Sequence, residues 1–292
     1  MSESVIADFV ARFNSDRIKR SEPVKGRVIL SEKRLVLAVK DTDKLTIPLS
    51  SIFDVAVGQV PEELDGFFHS TVTIAFQQHG NQFVATVEGE DDKIEKFSTV
   101  LFKALLNGTE TTVKHPARVG GRVTDAKFVP ARLALKPKVV TFNTNDGAVE
   151  VRLSQVTEFS RSKRDIGGTT RPVLEVRHMP SGESVMTMVA AESPRVMGLL
   201  GRYLRLEYSD LMAELRDIEL SGDEKEVLVA LYSGAGGEGM SLTTIIDKDP
   251  SNVTMLLNRL EEKDLVIDTE SGTKLTPKGK AVVGRHLEDV NA

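Results

Sequence analysis

Residues 251–279 read SNVTMLLNRLEEKDLVIDTESGTKLTPKG, and they decide the fold of the C-terminal part of the chain. Four apolar residues recur at the spacing of one helix face, namely Val253, Leu256, Leu257 and Leu260. Ser251 is a favourable N-cap, so the pattern predicts a helix that begins there. Two short apolar runs flank the turn-forming residues 270–272, which predicts a strand–turn–strand wing. Pro277 then favours the start of a last helix, which we expect to extend through His286.

Two shorter helices are predicted before this stretch. Ser221 and Glu224 have the spacing of a capping box ahead of an apolar helix face, and residues 241–246 favour a second short helix after a glycine-rich loop. Three helices, a wing and a final helix resemble the winged helix-turn-helix family over residues 219–292. Because one fold serves many functions, this resemblance leaves the function open.

The preceding residues contain one pattern twice. Leu49-Ser-Ser-Ile52 corresponds to Leu153-Ser-Gln-Val156, and Gly26-Arg-Val28 corresponds to Gly121-Arg-Val123. Each copy has β-branched, alternating runs separated by turn residues, and each ends in an amphipathic helix. The pattern predicts an α+β protein with two tandem β-rich domains of the pleckstrin-homology-like (PH-like) type. A plain α+β pair of domains is the alternative.

The predicted domains are 1–108, 109–218 and 219–292, of which the last is the winged-helix domain. An apolar stripe at the start of the chain predicts a short helix; its members are Val5, Ile6, Phe9, Val10 and Phe13. This helix either packs on the first domain or contacts a partner or a second copy of the chain. Phe9 and Phe13 are its candidate contact residues.

The composition limits the class of protein. The chain has 292 residues, a formal net charge of −5 and no cysteine, so disulfides and thiol chemistry are excluded. No apolar run has the length of a membrane span and no export signal is evident, so we expect a cytoplasmic protein without membrane insertion. Residues 109–218 contain 17 Lys and Arg against 13 Asp and Glu, whereas residues 219–292 contain 8 against 14. An acidic C-terminal segment disfavours nucleic acid as a partner.

No residue pattern predicts catalysis, a cofactor or a metal site. The five histidines are dispersed, and none forms the i, i+4 pair of a metal-binding helix. Residues 234–239 match the dinucleotide-binding pattern G-x-G-x-x-G, but this loop follows a helix and contains Glu238, which would repel phosphate. We therefore expect a binding protein and not an enzyme.

The densest basic cluster comprises Arg161, Lys163 and Arg164, with Arg171 across a glycine loop. It is either a solvated loop tip or a contact for an acidic protein surface; lipid headgroups and nucleic acid are further alternatives. The third helix of the C-terminal domain is more informative. A DNA-reading helix presents cationic and amide side chains to bases, between basic flanks.

The outward residues of this helix are Met255, Asn258, Arg259 and Glu262. One cation beside carboxylates is a poor DNA-binding surface, whereas an exposed Met suits an adaptable protein contact. The pattern thus favours a protein partner. The alternative is a winged-helix transcription regulator with β-rich sensory domains, which would need a basic recognition face.

The chain as a whole resembles the archaeal taxis protein CheF family. The resemblance rests on the opening MSESVIADFVARF, on Ser21-Glu-Pro-Val-Lys-Gly-Arg-Val28 and on the strand Arg34-Leu-Val-Leu-Ala38. It implies a chemotaxis adaptor, without a cofactor, at the base of the archaellum. The implied partners are the phosphorylated response regulator CheY, CheC and CheD, and cytoplasmic archaellum motor proteins.

On this basis two sets of residues are candidate contacts. The CheY set comprises Met255, Asn258, Arg259 and Glu262. The set for motor proteins or a second copy in a homodimer comprises Arg161, Lys163, Arg164, Arg171, Phe9 and Phe13.

Overall fold

The computed structural model describes residues 3–17, 22–58, 70–180, 183–215, 218–234, 242–269 and 272–283. Within these ranges the chain forms two large sheets, a two-stranded sheet and several helices, which confirms the α+β class. Two predicted features lie largely outside the described residues. They are the glycine loop after Gly234 and the wing tip at Glu270 and Ser271.

The first sheet contains seven strands. They are β1 (Val5–Ser15), β2 (Val24–Ser31), β3 (Arg34–Lys40), β4 (Asp43–Pro48), β5 (Ile52–Val57), β6 (Thr71–Gln78) and β7 (Asn81–Glu88). Their order is β4-β3-β2-β1-β7-β6-β5. Helix α1 (Asp91–Leu106) follows, and Asp91 and Asp92 lie in its first turn, where carboxylates interact favourably with the helix dipole. Its buried face, which includes Phe97, packs on β1 and β6.

The second sheet has the same topology with one added strand. Its strands are β8 (Glu110–Val119), β9 (Arg122–Val123), β10 (Val129–Lys136), β11 (Val139–Thr144), β12 (Gly147–Arg152), β13 (Val156–Ile166), β14 (Thr169–His178) and β15 (Val185–Ala191). Without β9, the order β12-β11-β10-β8-β15-β14-β13 reproduces that of the first sheet. A short 3-10 turn occupies the same place in both, at Leu49–Ser51 and at Leu153–Gln155. The two sheets therefore share the topology that the sequence repeat predicts.

One part of the predicted repeat alignment is wrong. Residues 121–123 belong to the added strand β9 and its turn, whereas the equivalent of β2 is β10. Gly120 and Gly121 both have positive φ, at 55° and 84°, a conformation that glycine adopts without steric cost. The chain therefore reverses directly after β8, and β9 pairs back onto β8 before β10 begins.

The predicted N-terminal helix is also wrong, because these residues form strand β1. Side chains at alternate positions, from Ala7 through Phe9 and Ala11 to Phe13, point toward the core. The small alanines are invisible to a pattern that counts large apolar residues. Phe13 is fully buried, and the Phe9 ring packs edge-on against Phe97 with centroids 5.1 Å apart. The large apolar side chains that β1 exposes are Val5, Ile6 and Val10.

Helix α2 (Pro194–Glu214) follows the second sheet and begins at Pro194, as predicted. The chain divides into two compact units, and the division crosses α2 between Leu206 and Glu207. The first part of α2 belongs with the first sheet, where Arg202 forms a bidentate ion pair with Asp54 at 2.9 and 3.0 Å. The remainder belongs with the second sheet, where Tyr208 packs edge-on against Phe159 at 5.6 Å.

The C-terminal region has a hydrophobic core of its own, built from residues between Val227 and Val283. Its elements are α3 (Gly222–Tyr232), α4 (Leu242–Ile245), α5 (Pro250–Glu262), β16 (Val266–Thr269), β17 (Gly272–Leu275) and a helix over residues 277–283. Of the four predicted inward residues, Val253, Leu256 and Leu260 are buried, and Leu257 is partly buried against the same core. The spacing that predicts this helix face is therefore correct.

The two predicted helix caps have different outcomes. The capping box is present, because Ser221 Oγ accepts from the Glu224 N–H while the Glu224 carboxylate accepts from the Ser221 N–H. Ser251 is not the N-cap of α5. The N-cap is Asp249, whose side chain accepts from the backbone N–H groups of Ser251 and Asn252. The helix therefore begins at Pro250, in the first helical position, where a missing N–H costs nothing.

Candidate partner-binding surfaces

An ion pair between a buried carboxylate and a half-buried lysine holds α5 against α3. Glu224, which is 3% exposed, accepts a hydrogen bond from Lys263 Nζ at 2.7 Å, and Lys263 also donates to the Glu219 carbonyl at 3.0 Å. Burial raises the pKa of Glu224, but hydrogen bonds from Lys263 and Ser221 outweigh it, so the pKa lies below its ordinary value. Glu224 is thus a carboxylate at neutral pH, and it ties the start of α3 to the end of α5.

A close backbone approach fixes the helix over residues 277–283. A Cβ on Gly279 would lie 2.0 Å from the carbonyl oxygen of Leu265, so the position admits only glycine. Thr276 N–H donates to the same carbonyl at 3.0 Å, and Lys278 Nζ donates to the carbonyl of Lys263 at 2.8 Å. The last helix therefore braces the residues that follow α5.

The outward side of α5 carries the four residues predicted to contact CheY. Met255, Asn258, Arg259 and Glu262 are all exposed, Met255 to 43%. Two further large apolar side chains of this domain are exposed, Ile245 to 45% and Tyr232 to 52%. Arg259 is the one cation within α5, where Glu261 and Glu262 are also exposed. Such a helix offers apolar and hydrogen-bonding contacts but lacks the cations that neutralise DNA phosphates.

The predicted basic loop is instead a β-hairpin. Arg161, Lys163 and Arg164 lie on β13, and Arg171 lies directly opposite Arg164 on β14. Strand pairing extends beyond the apolar residues because it uses main-chain hydrogen bonds, which polar side chains also permit. Gly167 and Gly168, both at positive φ, form the turn between the two strands. Arg164 forms an ion pair with Glu175 at 2.8 Å. The side chains of Arg161, Lys163 and Arg171 form no hydrogen bond or ion pair within the described ranges.

A pocket of about 230 Å³ lies beside this hairpin and β9. Four apolar residues line it, namely Ala117, Val123, Phe128 and Met188. Three cations and one carboxylate complete the lining: Lys114, Arg118, Arg164 and Asp165. Ala117 and Met188 also belong to a small buried apolar cluster with Phe128 packed against it. We call this site the β9 pocket. It combines an apolar lining with an excess of positive charge.

The sequence did not single out Lys114, Arg118, Phe128 or Met188. The excess of Lys and Arg in residues 109–218 and the predicted basic cluster, through Arg164, point toward this surface. The pocket forms because β8, the β9 segment, the tip of β13 and β15 converge, and this convergence depends on strand pairing between distant residues.

A buried histidine, His178, and a half-buried one, His115, share one hydroxyl group in the second sheet. Thr187 Oγ1 lies 2.8 Å from His115 Nδ1 and 2.9 Å from His178 Nε2. Burial and, secondly, the neighbouring His115 lower the pKa of His178 to about 4. His178 is 1% exposed and is therefore neutral at pH 7, shielded from solvent. In the part of the chain that the structure describes, no cluster of three or more His, Asp or Glu could hold a metal ion.

None of the helices in the described ranges combines the length and the apolar character needed to cross a bilayer.

Comparison with known proteins identifies relatives over the whole length. The family model described as archaeal chemotaxis signal transduction system protein F matches residues 5–210, and a second model, described as a domain of unknown function, matches residues 219–288. Taxis protein CheF2 of Halobacterium salinarum is 47% identical over 291 residues, which cover 100% of both chains. Taxis protein CheF1 of the same organism is 31% identical over 300 residues, which cover 98% of this chain and 96% of that protein.

Proposed function

The chain belongs to the family of the archaeal chemotaxis signal transduction system protein F, and on that premise we propose that it is a non-enzymatic adaptor. In this proposal it binds the phosphorylated response regulator CheY and connects it to the archaellum motor. The observation that carries the proposal is the outward side of α5. There Met255 and its polar neighbours are exposed on a helix that is held by the ion pair of Lys263 with the buried Glu224.

The charge of this surface supports a protein partner over DNA. Arg259 stands beside Glu261 and Glu262, so phosphate contacts would be few and repulsion strong. A protein partner gains from burying Met255, because a flexible thioether adapts to an apolar contact. A phosphorylation-dependent contact also requires different affinities for the two states of CheY. A tenfold preference corresponds to about 1.4 kcal/mol.

The remaining assignments are part of the same proposal. The shared strand order and closing helices of the two sheets support two PH-like domains, and the separate core with its three helices and two-stranded sheet supports a winged-helix domain. We place the domain boundaries near residues 108 and 218. The basic hairpin of Arg161, Lys163, Arg164 and Arg171 is the proposed contact with motor proteins.

We also propose a homodimer that uses β1, on which Ile6 and Val10 expose apolar side chains, although Phe9 and Phe13 themselves pack inward. CheC and CheD are further proposed partners. The proposed location is the cytoplasm at the base of the archaellum.

Calorimetric titration of the full chain with CheY tests the proposal. We expect binding at least tenfold tighter when CheY carries a phosphoryl mimic than when it does not. Equal affinity for both forms would contradict a phosphorylation-dependent adaptor. Salt-dependent binding to random duplex DNA, without CheY binding, would instead favour the transcription regulator.

A further inference from the structure

Strand β9 is the element that breaks the repeat. The two sheets otherwise share one strand order, and β9 pairs with β8 where the first sheet has no paired counterpart among its described strands. The segment around β9 brings Val123 and Phe128 next to Ala117 and Met188, and so creates the β9 pocket. The second domain therefore contains a surface feature that the shared topology does not require.

The surroundings of the β9 pocket are strongly basic. Residues 112–128 and 161–175 together contain eight Lys or Arg against two Asp and one Glu, in a chain whose net charge is −5. Directly opposed like charges destabilise a strand pair, yet Arg164 and Arg171 face each other. Glu175 pairs with Arg164 and also interacts electrostatically with Arg118, but the Arg171 side chain has no hydrogen-bond or ion-pair partner within the described ranges. This surface has an excess of positive charge that an acidic partner would neutralise.

We propose that the β9 pocket and its basic surroundings bind an acidic segment of a partner protein. An apolar side chain of that segment enters the pocket and contacts Phe128 and Met188. Its flanking carboxylates pair with Lys114, Arg118 and Arg171. The site includes Arg164 and Arg171 of the basic hairpin, so it rests on the proposed motor-protein contact and specifies the chemistry of that partner. It is separate from the outward side of α5 and does not depend on the proposed CheY contact.

The size and the chemistry of the pocket favour a protein segment. Pockets for small molecules and cofactors usually measure about 300–1,000 Å³, so about 230 Å³ suits a single side chain better. A bare anion would leave Phe128 and Met188 without a contact. A lipid headgroup has the charge but presents no apolar group at the depth of its phosphate. An acidic chain with interspersed apolar residues satisfies both parts of the lining.

Fluorescence anisotropy of the full chain with a dye-labelled peptide, Glu-Leu-Glu-Phe-Glu-Leu-Glu, tests this proposal. We expect saturable binding that Lys114→Glu with Arg118→Glu weakens at least tenfold. The matched control is Lys44→Glu with Lys274→Glu, which changes the net charge equally at two exposed lysines elsewhere. This control should change the affinity less than twofold. No binding, or equal weakening by both double variants, would overturn the proposal.

Four further measurements separate the sources of the signal. A heptaglutamate peptide should bind at least threefold more weakly, and equal binding would overturn the role of the apolar lining. Vesicles of phosphatidylserine that bind the chain when the peptide does not would overturn it in favour of a membrane. In NMR spectra of the chain labelled with ¹³C-methyl methionine, the peptide should shift the Met188 signal and leave the Met255 signal unchanged. The reverse result would also overturn the proposal. Loss of CheY binding by a variant of α5 should leave peptide binding intact.

Discussion

Replacement of Lys263 with Met removes the ammonium group that neutralises buried Glu224. The Glu224 side chain is 4% exposed and Lys263 is 33% exposed, with 2.7 Å between Nζ and Oε1. Breaking a fully buried pair by removal of one partner costs about 3–5 kcal/mol. Because water reaches Lys263 from one side, we expect a loss of about 2 kcal/mol from the C-terminal domain, which is about a 30-fold increase in its open population.

Hydrogen exchange of the full chain measures this loss, since the amides of α3 report local opening. We expect Lys263→Met to accelerate their exchange about 30-fold. Adding Glu224→Gln should recover more than half of the loss, because a neutral amide is less costly to bury than an unpaired carboxylate. The control is Lys274→Met at an exposed lysine in the same domain. Acceleration below threefold, or a double variant no better than Lys263→Met, would refute the reasoning.

Two other features have measurable consequences. The pKa of His178 is about 4 in the folded chain against an ordinary 6.5, so the unfolded chain takes up the proton first as the pH falls. The free energy of unfolding that is present above pH 6.5 should therefore decline by about 3 kcal/mol toward pH 4. Thermal unfolding should show a weaker pH dependence in His178→Asn, and the full dependence in the exposed-site control His79→Asn. Gly279→Ala should destabilise the C-terminal domain by more than about 2 kcal/mol, because its Cβ would meet the Leu265 carbonyl. By contrast, Gly198→Ala lies within α2, where the added Cβ would have no atom within 4 Å, and it should stabilise the protein by up to about 1 kcal/mol. Chemical denaturation that finds Gly279→Ala the more stable of the two variants would contradict the geometry.

Features set by neighbouring residues were predictable from the sequence. The capping box of Ser221 and Glu224 acts within one helical turn, and the apolar spacing of α5 identifies its outward side from the same few residues. The shared order of the two sheets follows the repeat for a related reason. Alternation and turn residues fix each strand locally, and both copies contain them in the same order.

Features set by distant contacts were not predictable in the same way. Strand β1 has a helix-like spacing of large apolar residues, and only its pairing with β2 and β7 selects the strand. The partner of Glu224 is Lys263, which neither helix pattern indicates. The β9 pocket depends on β8, β13 and β15 together with a two-residue strand. No local pattern specifies which side chains such a convergence brings together.

The most direct test of the central claim is a titration of activated CheY into a variant of the α5 surface. The triple change Met255→Ser, Asn258→Ala and Arg259→Ala removes exposed side chains only, so we expect the fold to be retained. Hydrogen-exchange rates equal to those of the unchanged chain would verify this. Loss of a docked thioether and an Arg contact should cost about 2–3 kcal/mol, or about a hundredfold in affinity. The control Thr254→Ala, also on α5, should bind within twofold of the unchanged chain. A triple variant that binds activated CheY as tightly as the unchanged chain would contradict docking on α5.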